Sequence, residues 1–118
     1  MSISLEIMYK DPTKDDVYYP IVSTVTNGSY DMYWKPLVEQ NQLVWVELMY
    51  SVGLPLLKYL DKIEEILSDF EKLIELTNTS LVVRTDYKNI MINKISIIIE
   101  TLNEIILNPE KFLEVYLG

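Results

Sequence analysis

From Leu56 the apolar side chains recur at Leu56, Leu60, Ile63, Leu67, Phe70 and Ile74, in steps of four and three, with Tyr59, Ile66 and Leu73 widening the stripe. Sustained over this length, a period near 3.6 commits the stretch to an amphipathic helix. Asp61, Lys62, Glu64, Glu65, Asp69, Glu71, Lys72 and Glu75 fall on the opposite side, the pattern of a solvated face. Such a stripe has to be covered by other elements, and the rest of the chain is read for what can cover it. Thr77-Asn78-Thr79-Ser80 ends the helix. A second helix is predicted to 107, capped by Thr85 or Asp86. Its apolar set, Met91, Ile95, Ile98, Leu102 and Ile105, is broadened by Ile92, Ile99 and Ile106, so more than one side needs cover.

The other period present is two. Ile3, Leu5, Ile7 and Tyr9 alternate with Ser2, Ser4, Glu6 and Lys10, which predicts a half-buried strand over 2–10. Asp11-Pro12-Thr13-Lys14-Asp15-Asp16 concentrates turn formers and ends it. Residues 17–26 are rich in β-branched residues and tyrosine, but Pro20 lacks an amide proton and confines any strand there to a short piece or an edge. After Asn27-Gly28-Ser29, the positions Tyr30, Tyr33, Trp34 and Leu37 predict a helix that Pro36 should kink or shorten. Leu43 to Tyr50 is apolar on both faces except at Glu47 and reads as a central strand closed by Gly53 and Pro55. Leu81 to Arg84 reads as a short strand. In the tail, Asn108-Pro109-Glu110 suits a helical turn, whereas Leu113, Val115 and Leu117 alternate as in a strand; a strand from Phe112 is favoured. The expected fold is α+β in a single domain over 1–118: a small antiparallel or mixed sheet of about four strands, with three helices packed mainly on one face.

Whole classes of chemistry are excluded by composition. There is no histidine and no cysteine, so Ser-His-Asp and Cys-His arrangements, thiolate nucleophiles and imidazole or thiolate metal sites are ruled out. The three glycines, Gly28, Gly53 and Gly118, build neither a GxGxxG turn nor a phosphate loop, and no cofactor is expected. Asp11, Asp15 and Asp16 lack the ligand alternation of a calcium loop and read as a solvated turn; no metal is expected. A net charge of −8 with Arg84 as the lone arginine argues against nucleic acid. The apolar run from Ile95 to Ile106 is interrupted by Ser96, Glu100, Thr101, Asn103 and Glu104, so no membrane span is expected. Residues 1–6 reach an acid before any signal core forms, and a cytoplasmic location is expected.

What remains is recognition by surface. Nine tyrosines are present. Tyr9, Tyr33, Trp34 and Trp45 fall on apolar stripes and read as core, while Tyr18, Tyr19, Tyr30 and Tyr50 read as an exposed patch. Glu47, set within an apolar run, is expected to point into a cleft or to pair with a base such as Lys35 or Arg84. With Asp15, Asp16 and Glu47, these four tyrosines make an expected partner-binding face for a basic protein, in a non-catalytic domain of immunity or antitoxin type. Two alternatives are carried: a homo-oligomeric scaffold such as a homodimer, suggested by a mean hydropathy of +0.11, and a carboxylate-based enzyme or small-ligand binder built around Glu47.

Overall fold

The computed structural model describes residues 2–10 and 19–118, leaving aside the side chains of residues 2 and 19–24. In chain order the elements are β1 (Ser2–Tyr9), β2 (Tyr19–Thr26), a bent helix α1 (residues 27–40), α2 (Val44–Ser51), β3 (Leu54–Pro55), a 3-10 segment Leu56–Lys62 leading into α3 (Ile63–Thr79), α4 (Thr85–Leu107), a 3-10 turn Pro109–Lys111 and β4 (Phe112–Leu117). The four strands form one antiparallel sheet in the order β2-β1-β4-β3. The expectation of an α+β fold with a four-stranded sheet is met, with four helices where three were expected.

The alternation of β1 turns Ile3, Leu5 and Ile7 into the core and leaves Ser4, Glu6 and Met8 half-buried on the far face. Ser4 and Gly118 exchange both backbone hydrogen bonds, at 3.2 and 3.0 Å, so by the two-residue repeat Glu6 also turns its amide toward β4. Pro20 lies opposite Glu6 across β2, and its missing N–H therefore falls on the open edge, the place where a sheet tolerates proline. In β4 the alternation breaks once. Met8 pairs with Glu114 but Tyr9 with Phe112, so Leu113 is the extra residue of a bulge and is exposed, while Phe112, Val115 and Leu117 are buried. The tail combines both sequence readings, a 3-10 turn at Asn108-Pro109-Glu110 and then a strand.

Three local expectations are overturned. Leu43 to Tyr50 is not a central strand: residues 44–51 form α2, and its N-cap Leu43 with Val46 and Met49 are buried at every third residue within a run too apolar to display that period. Leu81 to Arg84 forms no strand. The amides of Val82 and Val83 both donate to Ser80 Oγ, at 3.0 and 3.2 Å, which winds the segment into the tight loop of an αα-hairpin. Neither Thr85 nor Asp86 caps α4; Arg84 holds the N-cap position, and its guanidinium pairs with Asp86 at 2.9 Å.

Pro36 does not shorten α1. Tyr30–Trp34 form a π-turn in which Lys35 N–H donates to Tyr30 O, and this wider turn comes just before the proline, which then sits in the first turn of the α-helical stretch Lys35–Gln40. The helix predicted from Leu56 is regular only from Ile63; before it, Tyr59 leaves helical geometry at φ −118° and ψ 32°.

The connection from α2 to β3 turns at Gly53, where φ is +83° and a Cβ would run into the hydroxyl end of Tyr116. Gly53→Ala is expected to destabilise the fold by about 1–3 kcal/mol, the cost of a side chain in left-handed backbone plus displacement of Tyr116, read by urea denaturation.

Candidate functional site

Two of the surface depressions are lined by aromatic groups, and they differ in chemistry. One, of about 330 Å³, lies where the ends of α2 and β4 meet the start of α1 and is lined by Asn27, Tyr50, Gly53 and Tyr116 over Ile3 and Met49. Tyr50 does not stand free beside it. Its ring stacks on Tyr30 with centroids 3.9 Å apart and planes 6° from parallel. Tyr30 itself is buried, which corrects the expectation that it is part of an exposed patch. Burial, reinforced by the charge of Glu47, pushes its phenol far above the usual range and keeps it neutral. Its side chains supply amide and hydroxyl groups beside apolar contact.

The other depression is an open groove of about 340 Å³ between α2 and α3, lined by Gln42, Val44, Trp45, Glu65, Ser68 and Asp69. Two-turn α2 lacks a cap of its own at Leu43. Asp69 supplies one from the neighbouring helix: its Oδ2 accepts the amide of Trp45 at 2.9 Å, filling the role an N-cap side chain normally fills from within the segment. The bond fixes α2 against α3 and sets the Trp45 indole at the groove. There it meets Tyr59 edge-on, with centroids 5.5 Å apart, and stays half-buried. Val44 beside it is 56 % exposed. The break at Tyr59 is what brings that ring to Trp45. Partial burial is the largest influence on the Asp69 carboxyl and raises its pKa; the Trp45 amide opposes this, and the charge of Glu65 adds to it.

Glu47, expected inside a strand, stands on the exposed side of α2 on the same face as Val44, three residues away, and does not enter a cleft. Tyr18, Asp15 and Asp16 lie outside the described residues, and of Tyr19 only the backbone, in β2, is described. Of the expected face, then, Tyr50 lines the first cleft, Glu47 is exposed on α2 close enough to Tyr30 to act on its phenol, and Tyr30 is core. The residues that sequence reasoning passed over are Trp45, which its apolar run assigned to the interior, and Asp69, whose capping partner is 24 residues away. Among the described residues, no cluster of three or more acids has the arrangement to hold a metal ion, and no helix is long and apolar enough to cross a membrane. Comparison of the chain with protein-family models, curated proteins and solved structures finds no match.

A raised folded-state pKa means that Asp69 binds its proton more tightly in the native protein than in the unfolded chain. The resulting stabilisation is complete below the unfolded value of 3.8 and is lost as pH rises through the native one. Asp69→Asn, which keeps an acceptor for Trp45 without the charge, is expected to be at least as stable as the parent at pH 7 and to lose that advantage near pH 4. Asp69→Ala removes the acceptor and should cost about 0.5–2 kcal/mol at both pH values by urea denaturation.

Proposed function

We propose that the chain is a non-catalytic binding domain whose α2–α3 face covers a basic protein partner, as an inhibitor of immunity or antitoxin type would. The observation that carries this reading is that Val44 and Trp45 share one open groove with Glu65, Ser68 and Asp69. An indole and an exposed valine provide apolar anchors, and tryptophan is among the residues that contribute most to interface affinity. The acids around them attract a cationic surface and speed the encounter. The groove is too open to enclose a small ligand, whereas protein side chains dock in such surfaces once the surrounding contact excludes water.

Affinity capture with the purified chain at low salt, followed by reconstitution of the pair, tests the reading. The expected partner binds stoichiometrically, carries net positive charge and associates more slowly as ionic strength rises. Val44→Lys and Glu65→Lys, both at exposed positions, should each weaken the complex by about tenfold, or 1.4 kcal/mol, with unchanged circular dichroism. A neutral or acidic partner, or a basic one that binds both variants as it binds the parent, would exclude this function.

A further inference from the structure

Two of the three glycines in the sequence, Gly53 and Gly118, lie side by side in the wall of the cleft between α2, β4 and the start of α1. A Cβ on either would press on the hydroxyl end of Tyr116, and one on Gly118 would also come within 2.7 Å of Gly53 Cα. The phenol is thus seated against bare backbone, in a place that exists only because two side chains are missing. Tyr50 is fixed from another direction. Its stacking on Tyr30, at 3.9 Å and 6° from parallel, covers one face of the ring and holds its plane.

The polar groups held in this way have nothing to bond to within the chain. Among the described residues, the Asn27 carboxamide and the hydroxyls of Tyr50, Ser51 and Tyr116 have no hydrogen-bond partner, although all four residues line the same cleft. Nor is any of them sealed in, since no buried side-chain polar atom among the described residues lacks a partner. Buried Thr77 and Thr101, by contrast, close their hydroxyls on helix carbonyls at 2.7 and 3.0 Å. Beneath the cleft lie the buried apolar side chains of Ile3 and Met49. None of the lining side chains carries a charge.

We propose that this cleft binds one uncharged sugar ring, with Asn27, Tyr50, Ser51 and Tyr116 as its hydrogen-bonding groups. Hydroxyl and carboxamide groups both donate and accept, so they match a ligand whose own groups do the same, as sugar hydroxyls do. The C–H face of the ring packs on the aromatic and aliphatic walls. An anionic ligand would find no cationic side chain to pair with, in a chain of net charge −8. The volume of about 330 Å³, the share of about eleven water molecules, holds a single ring, so a longer glycan enters by its terminal residue. Because the two tyrosines are already fixed, little ordering is required when the ligand arrives. The inference does not rest on the α2–α3 face, whose groove shares no lining residue with this cleft.

The test is titration of the isotope-labelled chain with neutral hexoses and with their methyl glycosides, each to about 100 mM, followed by amide chemical shifts. At least one sugar should bind with a Kd of about 1–10 mM and move the resonances of Asn27, residues 50–53, Tyr116 and Gly118 together. Binding of the free sugar alone identifies a free monosaccharide as the ligand, and binding of the methyl glycoside as well extends it to the end of a glycan. Tyr116→Phe removes a hydroxyl that has no partner in the chain, so the urea midpoint should stay where it is while sugar binding weakens about fivefold. Asn27→Ala should weaken it by a similar factor with unchanged circular dichroism. Val44→Lys, on the α2–α3 face, should leave sugar binding as it is, so that failure of one reading does not decide the other. No shift at these residues with any sugar, a Tyr116→Phe chain that binds as the parent does, or larger shifts of the same resonances with methylammonium or acetate than with the sugars would each overturn the proposal.

Discussion

Trp34 is enclosed on every side, and the groups enclosing it come from helices that would otherwise have little reason to meet. Its indole N–H donates to Tyr87 Oη at 3.2 Å, tying α1 to α4. The Tyr87 ring stacks on Tyr33 at 4.4 Å, so the same pair of helices is joined twice. On its other side Trp34 lies 6.1 Å from Tyr30, which stacks on Tyr50 and so brings in α2. Aromatic rings combine a large buried area with a polar end that still needs a partner, and the Trp34 N–H finds one on a different helix, in Tyr87. The π-turn belongs to the same device, since it alters the winding of α1 where Tyr30, Tyr33 and Trp34 all have to face inward ahead of Pro36. With α2 held by Tyr50, its first turn reaches α3, where Asp69 completes it.

The parts of the fold that could be read from the sequence are those whose causes are local. β1 follows from alternation, α4 from a 3.6 period over 23 residues, and the edge position of β2 from one missing amide proton at Pro20. What could not be read has distant causes. The run from Leu43 to Tyr50 is apolar enough to suit strand or helix, and the choice rests on a carboxylate in α3 and a tyrosine in α1. The β-branched Val82 and Val83 favour a strand, but the five residues 80–84 between two packed helices leave room only for a loop. Leu113 continues the alternation of β4 on paper, and a bulge opposite Met8 and Tyr9 expels it.

The proposed binding face illustrates the same division. Counting aromatic residues picks out tyrosine and tryptophan but cannot tell a ring under another ring from a ring at the surface. Tyr30 is buried and Tyr50, stacked on it, is half-buried, while Trp45 is half-buried at the start of a helix capped from outside. The acidic side of α3 is legible as a wet face. That Leu60, Val44 and Ile106 stand exposed beside it is a property of how three helices end, which no single window of sequence contains.

The margins of the sheet bear on the colloidal behaviour of a chain with positive mean hydropathy. One margin is β3, two residues long; the other is β2, with a proline nitrogen turned outward and two irregularities in its pairing with β1. Neither offers the long flat ladder of backbone donors and acceptors on which cross-β fibres are templated. Growth of a cross-β ladder from exposed backbone is thereby obstructed at both borders.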